Sequence, residues 1–319
     1  MNILVTGGAG YIGSITARKL SEEGNNVIVY DNLVKGHRAS VTTTFVQGCL
    51  SNKELLGETF KKFNIEAVFH FAGFIEAGDS MKHPFEFFQN NVFYGVNLLD
   101  VMVKNNVKKI IFSSSAAVYK PSDKPLKEDD IKEPENFYGE TKLMFEKILE
   151  WYDKAYGIKF IALRYFNATG CEGELGERHN PETHLVPLAI LTALGCRENI
   201  KIFGTYYETF DGTCVRDYVH VKDLAEVHIL ALKKLNEKSG VFNVGTGDGI
   251  SVRQVIDSVR NLTGKNFTII ETEKRLGDPK ILIADPSKIK REFGWSAKID
   301  FKRGLEENIE YFKKNIFSY

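Results

Sequence analysis

The segment "NILVTGGAGYIGS", from Asn2 to Ser14, predicts the fold because it joins a short apolar run directly to a glycine-rich turn. The run at its start has the length and composition of a buried strand, and helix-forming residues follow the turn. Gly7, Gly10 and Gly13 allow backbone N–H groups to approach an anion at the N-terminus of that helix. In this strand–turn–helix context the spacing is typical of a pyrophosphate site, and a purely structural glycine turn is the alternative.

Strand-like and helix-like segments then alternate through the first half of the chain. Predicted helices cover residues 11–23, 53–63, 87–105 and 138–156, and predicted strands cover residues 2–6, 26–31, 43–48, 67–73, 108–115 and 159–165. Repetition of strand, helix and strand implies right-handed crossovers and a parallel sheet covered by helices on both faces. The sequence therefore predicts the α/β fold with a doubly wound parallel sheet, of Rossmann type.

The second half of the chain is less regular. Beyond Arg164 the segments are punctuated by Gly and Pro, and "GVFNVGTG" (Gly240–Gly247) resembles a late strand that returns to the sheet. We therefore predict a dinucleotide-binding domain of residues 1–170, to which residues 214–248 return. Residues 171–213 and 249–319 are predicted to form a smaller C-terminal substrate lobe.

Composition excludes several classes of function. The 319 residues contain 42 Lys plus Arg and 42 Asp plus Glu, so no global field attracts nucleic acid or an acidic membrane. Four scattered cysteines form no CxxC pair, which favours a reducing cytoplasm over a disulfide framework. No apolar run approaches the roughly 20 residues that span a bilayer, and the N-terminus lacks a basic signal-peptide region. We expect a cytoplasmic protein without nucleic-acid or membrane partners.

An acidic residue follows the second predicted strand. Asp31 lies where a carboxylate accepts hydrogen bonds from the adenosine ribose hydroxyls and repels a 2′-phosphate. The sequence therefore predicts NAD, rather than NADP, as the cofactor.

A tyrosine, a lysine and a serine are the candidate catalytic groups. In "YGETK", Tyr138 and Lys142 lie four residues apart on one helical face, after the serines that end the strand of residues 108–115. A chain with 13 tyrosines contains such a pair by chance, so its place at the ligand-binding edge of the sheet carries the prediction. A nearby ammonium and an oxidised nicotinamide would both favour the phenolate of Tyr138, which could then take a proton from a substrate hydroxyl.

These residues belong to a set of motifs that resembles the extended short-chain dehydrogenase/reductase family along essentially the whole chain. Specific stretches are "TGGAGYIGS", "YDNL", "HFAGF", "SSSAAVY", "YGETK", "LRYFNATG", "HNPETHLVP", "FGTYYETFDGTCVRDYVHVKDLA" and "RLGDPKILIADPSK". Within that family the chain is similar to the isomerases that interconvert UDP-glucose and UDP-galactose at C4 through a 4-keto sugar, in galactose metabolism. The resemblance implies a UDP-hexose substrate, tightly bound NAD and a homodimer in which each subunit contributes two long helices.

The resemblance also implies the site residues. It makes Tyr138 the base, Lys142 a ligand of the nicotinamide ribose and Ser115 a contact of the sugar O4. Implied cofactor contacts are Gly7, Gly10, Tyr11, Ile12, Gly13, Asp31, Asn32, Cys49, Leu50, Phe71, Ala72, Gly73, Asn90, Ser113, Tyr138, Lys142 and Phe166. Implied substrate contacts are Ser115, Tyr138, Asn167, His184, Leu185, Lys201, Ile202, Phe203, Arg216, Arg275, Asp278 and Leu282.

The turn after Ser115 distinguishes the chain from related dehydratases, and four positions (Cys49, Ile75, Ala117 and Leu282) depart from the family pattern. Related dehydratases carry an acid pair where this chain has Ala116 and Ala117, so a 4-keto sugar would have no group here to drive elimination. Ala117 also replaces a threonine that often helps to hold O4. Cys49 stands where an aspartate usually contacts the adenine, Ile75 where some members have a lysine, and Leu282 where some have a tyrosine. These positions bear on the affinity for NAD and on the specificity for the sugar.

Several simpler interpretations remain open. Arg216 could form only a local ion pair with Asp217. His179 and His184 are five residues apart without an evident third ligand, so we interpret them as polar loop residues and predict no metal. The whole chain could be an inactive NAD-binding scaffold, a dehydratase or decarboxylase, or an epimerase of N-acetylhexosamines or pentoses; the Ser115, Tyr138 and Lys142 set weighs against the scaffold.

Overall fold

A parallel sheet of seven strands is the central element of the protein. The computed structural model describes residues 1–235, 239–275 and 277–315. Its strands are β1 (Asn2–Thr6), β2 (Asn26–Asp31), β3 (Thr44–Gln47), β4 (Ala67–His70), β5 (Lys109–Ser115), β6 (Lys159–Tyr165), β7 (Asn167–Thr169), β8 (Asn199–Phe203), β9 (Val215–His220), β10 (Gly240–Val244), β11 (Gly249–Ser251), β12 (Thr268–Thr272) and β13 (Ile281–Leu282). The sheet has the order β10-β6-β5-β4-β1-β2-β3, so its order reverses beside β1. Ligands of doubly wound proteins bind at this reversal.

Helices cover both faces of the sheet. They are α1 (Tyr11–Glu22), α2 (Lys53–Phe63), α3 (Ala77–Ser80), α4 (Pro84–Phe87), α5 (Tyr94–Lys104), α6 (Phe137–Tyr156), α7 (Leu185–Ala193), α8 (Val221–Lys234), α9 (Val252–Thr263), α10 (Ser287–Phe293) and α11 (Phe301–Asn315). Apolar side chains of α1 and α8 fill one face of the sheet, and those of α2, α5 and α6 fill the other. The predicted fold class is confirmed.

Local sequence explains where the key helices begin and end. The Asn52 side chain accepts a hydrogen bond from the Leu55 N–H and starts α2. Asn136 caps α6 in the same way, and Gly157 ends that helix with φ +69°. These capping residues set the position of α6, which carries Tyr138 and Lys142.

One predicted helix is wrong in detail. Residues 87–105 do not form one continuous α-helix, because a π-helical segment, Phe88–Phe93, separates α4 from α5. π-Helical turns are uncommon and are often found at functional sites. This one carries Asn90 and Asn91 to the sheet edge where the predicted site lies.

The later segments pack as a separate apolar cluster. Helices α7, α9 and α11 pack with β8 and β12, while β9 pairs with β7, β11 and β13. β10 returns to the central sheet beside β6, as predicted. Ile289 and Trp295, which the predicted boundary places in the smaller lobe, pack in the core of the large sheet. The division into 1–170 with 214–248, and 171–213 with 249–319, stays a prediction.

Among the helices within the described residues, none combines the length and apolar character needed to cross a membrane.

Candidate active site

The glycine turn after β1 packs tightly against the end of β4. Gly7 has φ +71°, and a Cβ there would lie 2.4 Å from the Ala72 backbone nitrogen. A Cβ on Gly13 would lie 2.4 Å from the Gly7 carbonyl oxygen. Gly10 begins α1 without a side-chain cap from any described residue, and the first turn has no acidic residue. The first backbone N–H groups of α1 therefore suit an anionic ligand.

Asp31 is positioned by backbone donors at the end of β2. One carboxylate oxygen accepts from the Ala9 N–H at 3.0 Å and the other from the Leu33 N–H at 2.8 Å. Burial raises the pKa of Asp31, and these two hydrogen bonds oppose the rise. A carboxylate fixed beside the glycine turn can accept from the hydroxyls of an adenosine ribose, so the N–H groups of the turn and the Asp31 carboxylate together suit a dinucleotide.

A cavity of about 330 Å³ runs from this turn to the end of β5. Apart from Lys142, every predicted cofactor residue lines it. Among the predicted substrate residues, those that line it are Ser115, Tyr138, Asn167, His184 and Leu185. Lys201, Ile202, Phe203, Arg216, Arg275, Asp278 and Leu282 are not part of its lining.

The three candidate catalytic residues meet at one end of this cavity. Lys142 is buried below it and donates from Nζ to the Ser113 carbonyl oxygen at 2.7 Å. The Nζ lies 5.8 Å from the centroid of the Tyr138 ring. Ser115 ends β5, and its hydroxyl accepts from the Ala117 N–H, which orders the following turn.

The electrostatics of the tyrosine differ from the expectation. Burial raises the pKa of Tyr138 to about 12; the Ser115 hydroxyl opposes the rise and the charge of Glu76 adds to it. Burial lowers the pKa of Lys142 to about 8, against the charge of Glu146. The net effect of the protein is to raise the pKa of Tyr138, because the cost of burying a phenolate outweighs the hydrogen bond with Ser115.

Several supporting residues were missed by the sequence analysis. Asn91 accepts from the Phe74 N–H at 2.7 Å and donates to the Thr141 hydroxyl, which ties the π-helical segment to α6. Tyr165 shares a short hydrogen bond with Ser113. These partners are 17 to 52 residues apart in the chain, so only the folded sheet edge brings them together.

A buried ion pair supports the same helix. Arg164 donates to both oxygens of Glu146, at 2.9 and 2.6 Å, and both side chains are 3% exposed. Glu146 also accepts from the Ser114 hydroxyl at 2.5 Å. This network fixes α6 against β5 and β6, one turn beyond Lys142.

The predicted substrate arginines have partners other than those considered. Arg216 pairs with Asp278 through Nη2, and its Nη1 donates to the Val215 carbonyl oxygen at 2.8 Å. Asp217 instead accepts from Thr246 and neighbouring backbone N–H groups. The alternative of a local Arg216–Asp217 pair is therefore wrong.

Two further predicted substrate residues, Arg275 and Leu282, have defined contacts. The Arg275 guanidinium stacks 4.1 Å from the centroid of the Phe203 ring. Leu282 is paired with Arg216 across β9 and β13 and packs against an apolar cluster that contains Ala116 and Phe166. Leu282 therefore lies close to the turn that follows Ser115.

The structure changes the interpretation of His179 and His184. Both lie against two buried carboxylates, Glu177 and Glu182, in the same loop before α7. Burial disfavours the charge of His184, but Glu177 and Glu182 raise its pKa to about 9. Glu177 and Glu182 lie in the same eight-residue stretch as the two histidines, so the sequence contains further possible ligands that sequence analysis did not consider, and the absence of a metal stays a prediction.

The second tyrosine–lysine pair does not form a comparable site. Tyr218 lies in β9, whereas Lys222 lies in α8 and pairs with Glu307. His70, in β4, is 2% exposed and contacts the Thr6 hydroxyl at 2.7 Å, as expected of a core histidine.

Comparison with known proteins agrees with this geometry. Residues 3–245 match the model of the NAD dependent epimerase/dehydratase family. The chain belongs to this family, which confirms the predicted family and the NAD cofactor.

Relatives extend the match over the full chain. A Halalkalibacterium halodurans protein named UDP-glucose 4-epimerase is 47% identical over 317 residues, covering 98% of this chain and 94% of the relative. The UDP-glucose 4-epimerase of Brucella ovis, solved in complex with NAD, has a TM-score of 0.91 and 42% identity over 96% of each chain. The Bifidobacterium longum enzyme, solved in complex with NAD+ and UDP, has a TM-score of 0.95 and 34% identity over 100% of both chains.

Proposed function

We propose that the protein is an isomerase that interconverts UDP-glucose and UDP-galactose by inverting C4 through a transient 4-keto sugar, with NAD bound throughout. The observation that carries this proposal is the convergence of Ser115, Tyr138 and the glycine turn on one cavity above Lys142. Relatives that carry the epimerase name over nearly the whole chain support the choice of reaction. Galactose metabolism is the setting that this reaction implies.

Bound NAD supplies the hydride acceptor for C4 and, when oxidised, a positive charge near Tyr138. Ser115 holds the sugar O4 with its hydroxyl, and Tyr138 takes the O4 proton and later returns it. The Lys142 ammonium donates one N–H to the Ser113 carbonyl oxygen, so its other two N–H groups are available to the nicotinamide ribose. Burial raises the pKa of Tyr138, and the positive charge of an oxidised cofactor would favour its phenolate.

The apolar turn after Ser115 keeps the reaction reversible. Ala116 is buried in a cluster with Phe166, and neither Ala116 nor Ala117 has an acid–base group. The 4-keto sugar therefore has no partner there for elimination. It can rotate and take the hydride back on its other face.

The UDP group is assigned to the side of the cavity near β9 and β13. Arg216 keeps guanidinium N–H groups beyond those bound to Val215 and Asp278, and its planar fork suits a diphosphate. The Arg275 guanidinium lies over the ring of Phe203, which the family resemblance places in a uracil pocket with Leu185 and Ile202. The relative solved with UDP supports a uridine nucleotide.

We also propose a homodimer formed through the α5–α6 side of the molecule. Phe85, Phe88 and Phe93 lie in α4 and the π-helical segment, just before α5, and are 71%, 40% and 53% exposed. Exposed aromatic side chains in one region are typical of a protein interface. A cytoplasmic location rests on the scattered cysteines and stays a proposal.

The deciding experiment supplies purified protein with UDP-galactose and no added NAD. Proton NMR should show UDP-glucose accumulating to equilibrium. A 4-keto-6-deoxy product would indicate a dehydratase, and no product would indicate an NAD-binding scaffold; either result contradicts the proposal.

A further inference from the structure

A second cluster of chemically active side chains lies in the loop between β7 and α7. Glu177, His179, Glu182 and His184 each offer one nitrogen or oxygen atom, and these atoms all lie within 4.8 Å of one another. Glu177 and Glu182 have side chains that are 5% and 6% exposed. We propose that Glu177, His179, Glu182 and His184 form a binding site for one divalent zinc ion at the wall of the active-site cavity.

The first argument concerns the Nδ1 atoms of the two histidines, which both point toward the carboxylates. His184 Nδ1 lies 2.6 Å from Glu177 Oε1, and His179 Nδ1 lies 3.3 Å from it. Neither Nδ1 atom is aligned in a hydrogen bond with any described residue, although both are buried. Side chains that share a metal point their lone pairs at a common centre rather than at one another.

Glu182 provides an independent observation. Its Oε1 accepts from the Thr183 and His184 N–H groups, at 2.8 and 2.9 Å, which fixes the carboxylate. Its Oε2 is buried and has no hydrogen-bond partner among the described residues. An unpartnered carboxylate oxygen is costly in a buried place, and a bound cation would satisfy it.

The distances suit a tetrahedral ion. Bonds of about 2.0–2.1 Å to nitrogen and oxygen give ligand atoms roughly 3.3 Å apart. His179 Nδ1 lies 3.3 Å from Glu177 Oε1, and the Nδ1 atoms of His179 and His184 lie 3.9 and 3.6 Å from Glu182 Oε1, which belongs to the same carboxylate as the unpartnered Oε2. The 2.6 Å contact between His184 and Glu177 must lengthen on binding, and separations above 3.3 Å must shorten.

The chemical types of the four ligand groups indicate which metal ion would bind. Two imidazoles with two carboxylates favour zinc among abundant divalent ions, whereas magnesium and calcium prefer oxygen ligands in larger number. Two carboxylate charges also balance the charge of the ion. Four protein ligands make a closed site, which is typical of a structural rather than a catalytic zinc.

The site would act on the substrate cavity through His184. Its side chain is 43% exposed although Nδ1 is buried, so the exposed edge is the one that contains Nε2. Zinc on Nδ1 would fix the tautomer that presents Nε2–H to the cavity, which His184 lines. The ion would thus turn His184 into a permanent donor toward the predicted diphosphate.

The test measures metal rather than catalysis, so it fails or succeeds separately from the proposed function. NAD-bound protein without a histidine tag is dialysed against a chelator and titrated with zinc chloride by calorimetry. We expect one zinc per chain. Glu182→Gln and His179→Gln should each weaken zinc binding at least tenfold, whereas His83→Gln should not, because His83 is exposed and pairs only with Glu86 among the described residues.

Cobalt(II) gives a second measurement that needs no variant. Binding to the unaltered protein should produce the strong visible absorption of tetrahedral cobalt, and zinc should abolish it. Failure to bind one zinc per chain, a weak octahedral cobalt spectrum, or unchanged zinc affinity in a folded Glu182→Gln protein would each overturn the proposal.

Discussion

Gly139 of α6 lies directly against the carbonyl oxygen of Ala117, so that a Cβ on the glycine would stand 2.1 Å from that oxygen. This contact brings the helix that carries Tyr138 onto the turn that follows Ser115. The glycine in "YGETK" is therefore required by packing, and it sets the spacing of the catalytic groups.

Gly139→Ala should separate Tyr138 from Ser115. The carbonyl is backbone and cannot rotate away, so α6 must shift, and misplacement of about 1 Å can cost roughly 10²-fold in rate. Turnover with UDP-galactose and bound NAD should both be measured. Gly57→Ala, in open space within α2, is the control and should not reduce turnover. Full activity in Gly139→Ala would show that the contact does not position the site.

Tyr138→Phe should reduce turnover by about 10² to 10⁴ while the fold and the bound NAD are kept. The hydroxyl is the group proposed to move the O4 proton, and the ring remains to fill its place. Tyr156→Phe, at the exposed end of the same helix, is the matched control. Steady-state rates of both variants check this, and near-normal turnover in Tyr138→Phe would remove the residue from the mechanism.

Cys49→Asp should slow the release of NAD. Cys49 lines the cavity, and sulfur is a weak acceptor for the adenine amino group. A charge-assisted hydrogen bond contributes about 1.5–3 kcal/mol, so the dissociation rate should fall about tenfold or more. Cys196→Asp, at an exposed cysteine, controls for added charge. An unchanged or faster release from Cys49→Asp would refute the prediction.

Leu282→Ser should raise the rate with UDP-N-acetylglucosamine relative to UDP-glucose. Leu282 packs beside Ala116 and Phe166, where a C2 substituent would have to pass as the keto sugar turns. A steric penalty of about 1.4 kcal/mol corresponds to a factor of ten. Ile281→Ser is the control, because neighbouring strand residues point to opposite faces. A native preference for the N-acetylated pair would contradict this assignment of sugar specificity.

Sequence patterns predicted the helices and strands whose bounds are determined by neighbouring residues in the chain. The helix Lys53–Phe63 and the strand Asn26–Asp31 have the predicted bounds, since a capping residue and continuous apolar character determine them. The π-helical segment was missed because its hydrogen bonds to Phe74 and α6 depend on tertiary contacts.

In the candidate site, too, some features follow from local sequence and others depend on tertiary contacts. The glycine turn and Asp31 are neighbours of predictable strands, so their meeting followed from the topology. Arg216 and Asp278 are 62 positions apart, and the pairing of β13 with β9 brings them together. No local sequence pattern predicts this ion pair. The raised pKa of Tyr138 depends on burial, which the spacing of tyrosine and lysine does not reveal.

Isotope retention tests the central claim most directly, namely that the hydride leaves C4 and returns to the same sugar. UDP-glucose deuterated at C4 is incubated to equilibrium with protein that carries only its own NAD, together with unlabelled UDP-xylose as a trap. The account predicts UDP-galactose with deuterium fully retained at C4 and none in the solvent or the trap. Loss of deuterium to water, or its transfer to another sugar, would contradict it.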